Sequence, residues 1–270
     1  MIFVHDKGRM ANNILQYGHV YAWGREHGRQ TMSMRFAYKY PWFKICHTPH
    51  HNFLTYAFAK YGAKAGLIPE VRFDVENADY SREEQLMQSS RMIVVGGWYA
   101  RWYDLFLKYR KEIADLFAFD EAVTRKVAII LGNEPRIRLG IHVRRGDYKT
   151  FQGGRFYYTD KQYTSLIQSY YRFNYPDTPL SVYICTNDPG IDKDYYHKQL
   201  PGLDIHFPAG NPAEDLCLLS QCNDIIGPPS TFTLVAAMYR DAELYWIEDP
   251  DKIPMPKDFQ YFDTLFRHIY

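Results

Sequence analysis

From residue 136 onward the chain alternates short apolar runs with amphipathic helical patterns, and a turn or helix cap marks each exchange. Arg136 to Val143 reads as a strand. A helix then opens with Thr159 and Gln162 at capping-box spacing and carries Tyr163, Leu166, Ile167, Tyr170 and Tyr171. Ser181 to Cys185 reads as the next strand. Asn211-Pro212-Ala213-Glu214 starts another helix, with Asn as cap, Pro in the first turn and Glu three residues after the cap. Strand Asp224 to Ile226, a helix near 231–240 and strand Leu244 to Ile247 complete the run. Strands joined through helices form βαβ units, so the predicted class is α/β, with a parallel sheet covered on both faces.

The first half is less regular. Ile2 to Val4 reads as a strand, leading through a loop with Gly8 to a helix over 10–28 that carries Ile14, Tyr17, Tyr21 and Ala22 and stops at Gly28. Met92 to Gly97 is an apolar run that fits a buried strand, and a helix over 103–118 carries Phe106, Leu107, Ile113, Leu116 and Phe117. The turn cluster Gly132-Asn133-Glu134-Pro135 is the strongest boundary, dividing the 270 residues into domains 1–132 and 133–270. There is no internal repeat and no low-complexity tract.

Several function classes are disfavoured. A formal net charge of +1 lacks the basic surplus of a general nucleic-acid binder, and 23% charged residues exclude wholesale disorder. No run of 18 apolar residues is long enough to span a membrane, and the apolar run at the start is too short for a signal peptide. Cysteines at 46, 185, 217 and 222 lack the spacing of a disulfide framework, so a reducing cytoplasm is expected. Aromatic residues reach 17%, including 24 tyrosines; they suit sugar or base stacking but fill cores more often.

In a parallel sheet, ligands collect beyond the carboxyl ends of the strands. Phosphate-loop, dinucleotide and zinc-protease motifs are absent. Cys46-His47 with His50 and His51 lacks partners at metal-site spacing, and neither D-x-D tripeptide, Asp192-Lys193-Asp194 or Asp249-Pro250-Asp251, follows a strand in a way that fixes it. The segment Gly140-Ile141-His142-Val143-Arg144-Arg145-Gly146-Asp147-Tyr148 differs in kind. Alternation puts His142 and Arg144 on one face and Val143 and Arg145 on the other. Two arginines at the end of an apolar strand need anions to meet them; either a diphosphate or a salt bridge to Asp147 would serve. The block Glu214 to Phe232 reads as helix, strand, and a Pro-Pro-Ser-Thr turn into a further helix. There Ser230 and Thr231 present hydroxyls and free N–H groups, as an anion site or as an ordinary N-cap.

Together these blocks resemble the alpha-1,2-fucosyltransferases, a family of GDP-fucose-dependent transferases. His142 to Tyr148 is similar to that family's H-x-R-R-G-D-Y motif. Gly8 to Tyr17 resembles its G-x-G-N-Q-x-x-Q-Y loop and helix, Gly97-Trp98-Tyr99 leading to Tyr103 its G-Y-x-Q-x-x-x-Y/F stretch, and Asp215 to Phe232 its D-L-x-L-M-S-x-C … N-S-T-F-S-W-W block. This chain departs at Pro229, where the family has Asn, and at Leu234-Val235, where it has Trp-Trp.

The resemblance implies a GT-B-type α/β architecture of two Rossmann-like domains facing across a cleft. Residues 1–132 would form the acceptor side and 133–270 the GDP-sugar side, with a terminal helix packing back after Pro256. It implies an inverting, metal-independent transfer of fucose from GDP-fucose to a glycan hydroxyl. Arg144, Arg145 and Asp147 are the expected catalytic group, with Arg144 on the β-phosphate and the other two supporting the loop. His142, Arg144, Asp215, Ser230, Thr231 and Phe232 are expected at the donor, with Gly8 and Asn12 from the N-terminal loop. Asp215 would take the guanine edge, although an acid stabilising the first turn of its own helix is the plainer reading. The expected partners are a GDP-sugar and a glycan acceptor, with no nucleic acid and no transmembrane segment, in a cytoplasmic setting that allows peripheral membrane association. Two alternatives stay open: another GDP-sugar as donor, and a catalytically silent sugar-nucleotide or glycan-binding module.

Overall fold

Ile2, Phe3 and Val4 are almost wholly buried, and so are Ile93, Val94 and Val95. These two runs pair in parallel at the centre of a sheet, which is why neither shows an exposed face. The computed structural model describes residues 1–134 and 136–269, so Pro135 of the turn cluster lies outside the described residues. By packing, the chain divides into two units, Met1–Glu121 and the residues from Ala122 on.

The first unit runs β1 (Ile2–His5), α1 (Met10–Glu26), β2 (Thr31–Ser33), α2 (Phe53–Lys64), β3 (Glu70–Arg72), α3 (Ser81–Ser89), β4 (Ile93–Gly96), α4 (Tyr103–Lys108) and α5 (Arg110–Leu116). Its sheet is parallel in the order β2-β1-β4-β3. The single helix expected over 103–118 is two helices that meet at Tyr109. Lys108 and Tyr109 both reach Glu26 of α1, at 2.6 and 2.8 Å. The bend there lets Ile113 and Phe117 enter the core, with Phe117 edge-on to Tyr17 and Phe36. Strands β2 and β3 escape sequence reading because three residues at a sheet edge carry too little alternation to detect.

The second unit contains α6 (Glu121–Leu131), β5 (Ile137–Val143), α7 (Asp160–Asn174), β6 (Leu180–Thr186), α8 (Lys193–Gln199), β7 (Asp204–His206), α9 (Pro212–Leu219), β8 (Asp224–Gly227), α10 (Thr231–Arg240), β9 (Glu243–Trp246) and α11 (Phe262–Leu265). Both predicted caps are present: Thr159 with Gln162, and Asn211 with Glu214. The division falls after Glu121, the first residue of α6, a helix that buries Val123 and Val127 and pairs Lys126 with Glu214 of α9 at 2.8 Å. The tail returns along the outer edge of β9, where Gln260 and Leu244 exchange backbone hydrogen bonds at 2.9 and 3.0 Å.

The sheet order β7-β6-β5-β8-β9 positions the chemistry. From β5 the chain proceeds outward through β6 and β7, then returns to β5's other side for β8 and β9. The crossovers therefore leave the sheet in opposite directions at β5 and β8, and the crevice beyond their carboxyl ends is the usual ligand position of such sheets. The residues just past those ends are Arg144 to Tyr148 and Pro228 to Phe232.

Candidate active site

The two sequence blocks meet at this switch point. The His142 ring stacks on Phe232, with centroids 4.9 Å apart. The Tyr148 hydroxyl donates to the Pro229 carbonyl at 2.9 Å, tying the loop after β5 to the turn after β8. Gly227 makes the approach possible, because a Cβ there would lie 3.0 Å from the Cβ of His142. Burial and the nearby Arg144 charge push the His142 pKa down to about 3, so its ring is neutral at physiological pH. Its Nδ1 is buried with no hydrogen-bond partner among the described residues.

The adjacent arginines have different fates. Arg145 turns inward: Nε donates to the Tyr158 carbonyl at 3.0 Å, Nη1 to Asp188 at 3.2 Å and Nη2 to Asp160 at 2.5 Å. Its backbone N–H is held by Asn187 at 3.0 Å. This side chain is 7% exposed, and each edge of its guanidinium meets a protein acceptor. Arg144 turns the other way. Asp147 takes its Nε and Nη2 at 3.4 and 2.9 Å, the Tyr148 ring lies 4.5 Å beneath its Cζ, and among the described residues no acceptor meets Nη1. Arg144 can therefore offer a donor edge to an anion while Asp147 and Tyr148 fix its plane.

Ser230 caps α10, its Oγ accepting from the Phe232 N–H at 3.0 Å. Thr231 follows as the first helical residue, and Thr233 bonds back to the Ser230 carbonyl at 3.0 Å. Asp215 stands in the first turn of α9, near the carboxyl end of β6, where the Cys185 thiol lies 4.0 Å from its backbone carbonyl. Burial, reinforced by the neighbouring Glu214, pushes its carboxyl pKa up to about 7. The structure thus joins His142, Arg144, Asp147, Ser230 and Phe232 by direct or one-residue links, while Asp215 lies on the same end of the sheet without a direct link to them.

Gly8 and Asn12 belong to the first unit, past the carboxyl end of β1. Gly8 holds φ +90°, and a Cβ there would sit 2.6 Å from the Asn12 side-chain nitrogen. Gln16 and Asn13 fasten this loop through the Lys7 carbonyl at 2.6 and 2.8 Å. Beyond β4, the guanidinium of Arg101 lies 4.0 Å over the Trp98 ring, beside an open recess of about 470 Å³ lined by Tyr80, Glu84, Tyr99, Trp102 and Tyr103.

Sequence reasoning missed three groups. Asp160 and Asp188, the partners of Arg145, stand 15 and 43 residues away. The third is Asp6, just past the end of β1, which accepts from Ser33 at 2.9 Å and is pushed up to about 7 by burial. A carboxylate just beyond a strand end was the available signal for Asp6 and Asp188. The other metal-like patterns serve locally: Asp192 caps α8, Asp249 accepts from the Asp251 N–H at 3.0 Å, and His47 pairs with Asp120 at 3.0 Å. Among the described residues no group of three or more His, Cys, Asp or Glu side chains is gathered as a metal site, and the described cysteines are free. Among those residues, too, no helix is long and apolar enough to cross a membrane.

Comparison with known proteins gives a consistent set. The model of "Glycosyl transferase family 11" matches residues 97–243, more than half of the chain. Galactoside alpha-(1,2)-fucosyltransferase 2 of Gorilla gorilla gorilla is 25% identical over 249 residues, covering 85% of this chain and 66% of that protein. Galactoside 2-alpha-L-fucosyltransferase Sec1 of Mus musculus is 25% identical over 287 residues, covering 99% and 70%. The chain thus spans about two thirds of the length of the first of these relatives. Among solved structures, a mutant of Arabidopsis thaliana FUT1 in complex with GDP matches with a TM-score of 0.66 at 12% identity, covering 96% of this chain and 73% of that one. POFUT1 in complex with GDP-fucose matches with a TM-score of 0.55 at 12% identity, covering 94% and 95%. The alpha-1,6-fucosyltransferase NodZ co-crystallised with GDP matches with a TM-score of 0.56 at 16% identity, covering 91% and 94%. These likenesses show the fold: the expected GT-B-type architecture, with its two Rossmann-like α/β units.

Proposed function

The chain belongs to glycosyl transferase family 11, and from that premise we propose that it transfers fucose from GDP-fucose to a glycan hydroxyl with inversion, forming an alpha-1,2 linkage. The observation that carries the reading is Arg144, held in plane by Asp147 and Tyr148 at the switch point, with no acceptor on its Nη1 edge among the described residues. Relatives named alpha-(1,2)-fucosyltransferases and a matching chain bound to GDP-fucose supply the sugar and the nucleotide.

In this reading the second unit binds the donor. As the bond from fucose to GDP breaks, negative charge concentrates on the β-phosphate. Arg144 and the N–H groups at the start of α10 stabilise that charge where it develops. Arg145 is a positioning residue: by anchoring the loop to Asp160 and Asp188 it sets where Arg144 can reach. His142, neutral and stacked on Phe232, forms an uncharged wall that adds no competing cation. The first unit takes the acceptor, with the aromatic-lined recess beyond β4 as a surface for sugar faces and Gly8 and Asn12 shaping the loop beyond β1. Leaving-group charge is met by fixed protein groups, so the reaction needs no divalent cation.

The test is GDP release and glycan transfer across a panel of GDP-sugars, run in excess EDTA with a soluble galactoside acceptor. GDP-fucose is expected to turn over fastest, at a rate that added Mg²⁺ changes only modestly. Preference for GDP-mannose, absence of turnover with every donor, or activity that depends on restored Mg²⁺ or Mn²⁺ would each reject this reading.

Asp215 gives a pH prediction. Guanine offers adjacent N1–H and N2–H donors that one carboxylate can accept together, but the empty site holds a proton up to about pH 7. Below that pH, GDP binding must first remove the proton, so GDP affinity is expected to fall about tenfold per pH unit as the pH drops, and to level off above 7. Asp215→Asn should bind GDP more weakly, lose this slope and lose preference for GDP over ADP. Titration calorimetry between pH 5 and 8 on both proteins checks it; an unchanged guanine preference in the variant removes the assignment.

A further inference from the structure

Helix α2 is amphipathic the wrong way round for a helix that packs on a sheet. Its inward side is mostly small, with Tyr56 the large exception: Ala59 is fully buried against the core with Phe3, Met32 and Ile68, Ala63 packs on the same cluster, and Gly62 sits where a Cβ would strike Ile68 at 2.7 Å. Its large apolar side chains face solvent. Phe53 is 63% exposed, Leu54 80%, Phe58 53% and Tyr61 61%, and Leu67 just beyond the helix is 80% exposed. At about 100° per residue the four helical positions fall within one arc of about 140°, so they make a continuous stripe roughly 12 Å long. Other exposed large apolar residues, such as Val75, Ile129 and Phe173, are far apart along the chain. Solitary exposures of that kind are normal; a stripe is not.

Charge says what covers it. Lys60 and Lys64 flank the stripe on the Phe53 side, both exposed. From residue 27 to 69 the chain contains no Asp or Glu, while Arg29, Arg35, Lys39, Lys44, Lys60 and Lys64 fall within it, in a protein whose net charge is only +1. An apolar face rimmed by lysines matches an anionic lipid surface, where the apolar side chains enter the acyl boundary and the ammonium groups stay among the headgroups. A second copy of this chain fits less well, since a two-fold pairing of α2 with itself would set its lysine flanks against a segment with no carboxylate to meet them. We infer that α2 docks this protein on an anionic bilayer surface. The inference is independent of the donor chemistry, and a surface-held enzyme would act on acceptors carried by lipid.

The experiment is co-sedimentation of the full chain with vesicles of phosphatidylcholine plus phosphatidylglycerol, and with vesicles of phosphatidylcholine alone. Binding is expected to the anionic vesicles only and to weaken with salt. Leu54→Ser with Phe58→Ser should abolish it, and Lys60→Glu with Lys64→Glu should weaken it at least about tenfold. All four positions are exposed, Phe58 touching the core only through an edge contact with Phe3, so the variants should keep the wild-type circular dichroism and the wild-type rate on a soluble acceptor. Failure of wild type to bind the vesicles, binding by the variants equal to wild type, or a wild-type dimer that the Ser variant makes monomeric would each overturn the inference. A low rate with every donor, alongside intact vesicle binding, would count against the transfer reaction instead.

Discussion

Replacing Arg144 with alanine is expected to lower turnover at saturating GDP-fucose by roughly 10²–10³-fold, the usual loss for one preorganised donor to a developing anion. Stability should hardly change. Its partner Asp147 has a side chain 40% exposed, so water can hydrate the carboxylate once the guanidinium is gone. Lysine should rescue little: Asp147 holds one edge of a planar fork, and an ammonium cannot satisfy that carboxylate and an anion at fixed geometry together. Single-turnover rates and circular dichroism on both variants decide the matter. A folded Arg144→Ala enzyme with near-wild-type turnover would remove Arg144 from the phosphate.

The neighbouring substitution should fail in the opposite way. Arg145→Met removes the cation shared by Asp160 and Asp188, whose side chains are only 23% and 24% exposed. Breaking a buried pair from one side costs about 3–5 kcal/mol, because the surviving carboxylates remain desolvated and unmatched. With two partners partly reached by water, a loss of about 2–4 kcal/mol is expected, or roughly 5–15 °C in the melting of the second unit. Adding Asp160→Asn and Asp188→Asn should recover much of that stability but not the activity, since Arg144 would still lack its anchored loop. Thermal unfolding of the single and triple variants measures this. An Arg145→Met protein that melts like wild type would show that the inward guanidinium is not holding the loop.

These two expectations separate side chains that look equivalent in the sequence. Alternation along β5 predicts that Arg144 and Arg145 point to opposite faces, and a two-residue period needs only local geometry. It does not say which face holds carboxylates. Asp160 comes from the start of α7, after the loop that follows β5, and Asp188 from the loop after β6, which reaches Arg145 because β6 lies beside β5. Without those partners, a diphosphate was a fair explanation for both forks. With them, a single edge on Arg144 remains.

Helix caps and apolar strands were legible because their causes lie within a few residues. Thr159 with Gln162 and Asn211 with Glu214 close capping boxes three residues apart, and the buried parallel strands read as apolar runs. The contact between His142 and Phe232, the tie from Tyr148 to Pro229, the raised pKa of Asp215 and the outward stripe of α2 were not legible. Each depends on what a distant stretch of chain places opposite the residue, and burial and charge are properties of that environment rather than of the residue type. The sequence by itself determined the α/β alternation, the capped helices and the motif at the end of β5. Only the tertiary structure decided which arginine is enclosed by distant carboxylates and which pairs only with the nearby Asp147, because a charge is satisfied by neighbours in space and the chain brings Arg145's neighbours from 15 and 43 residues away.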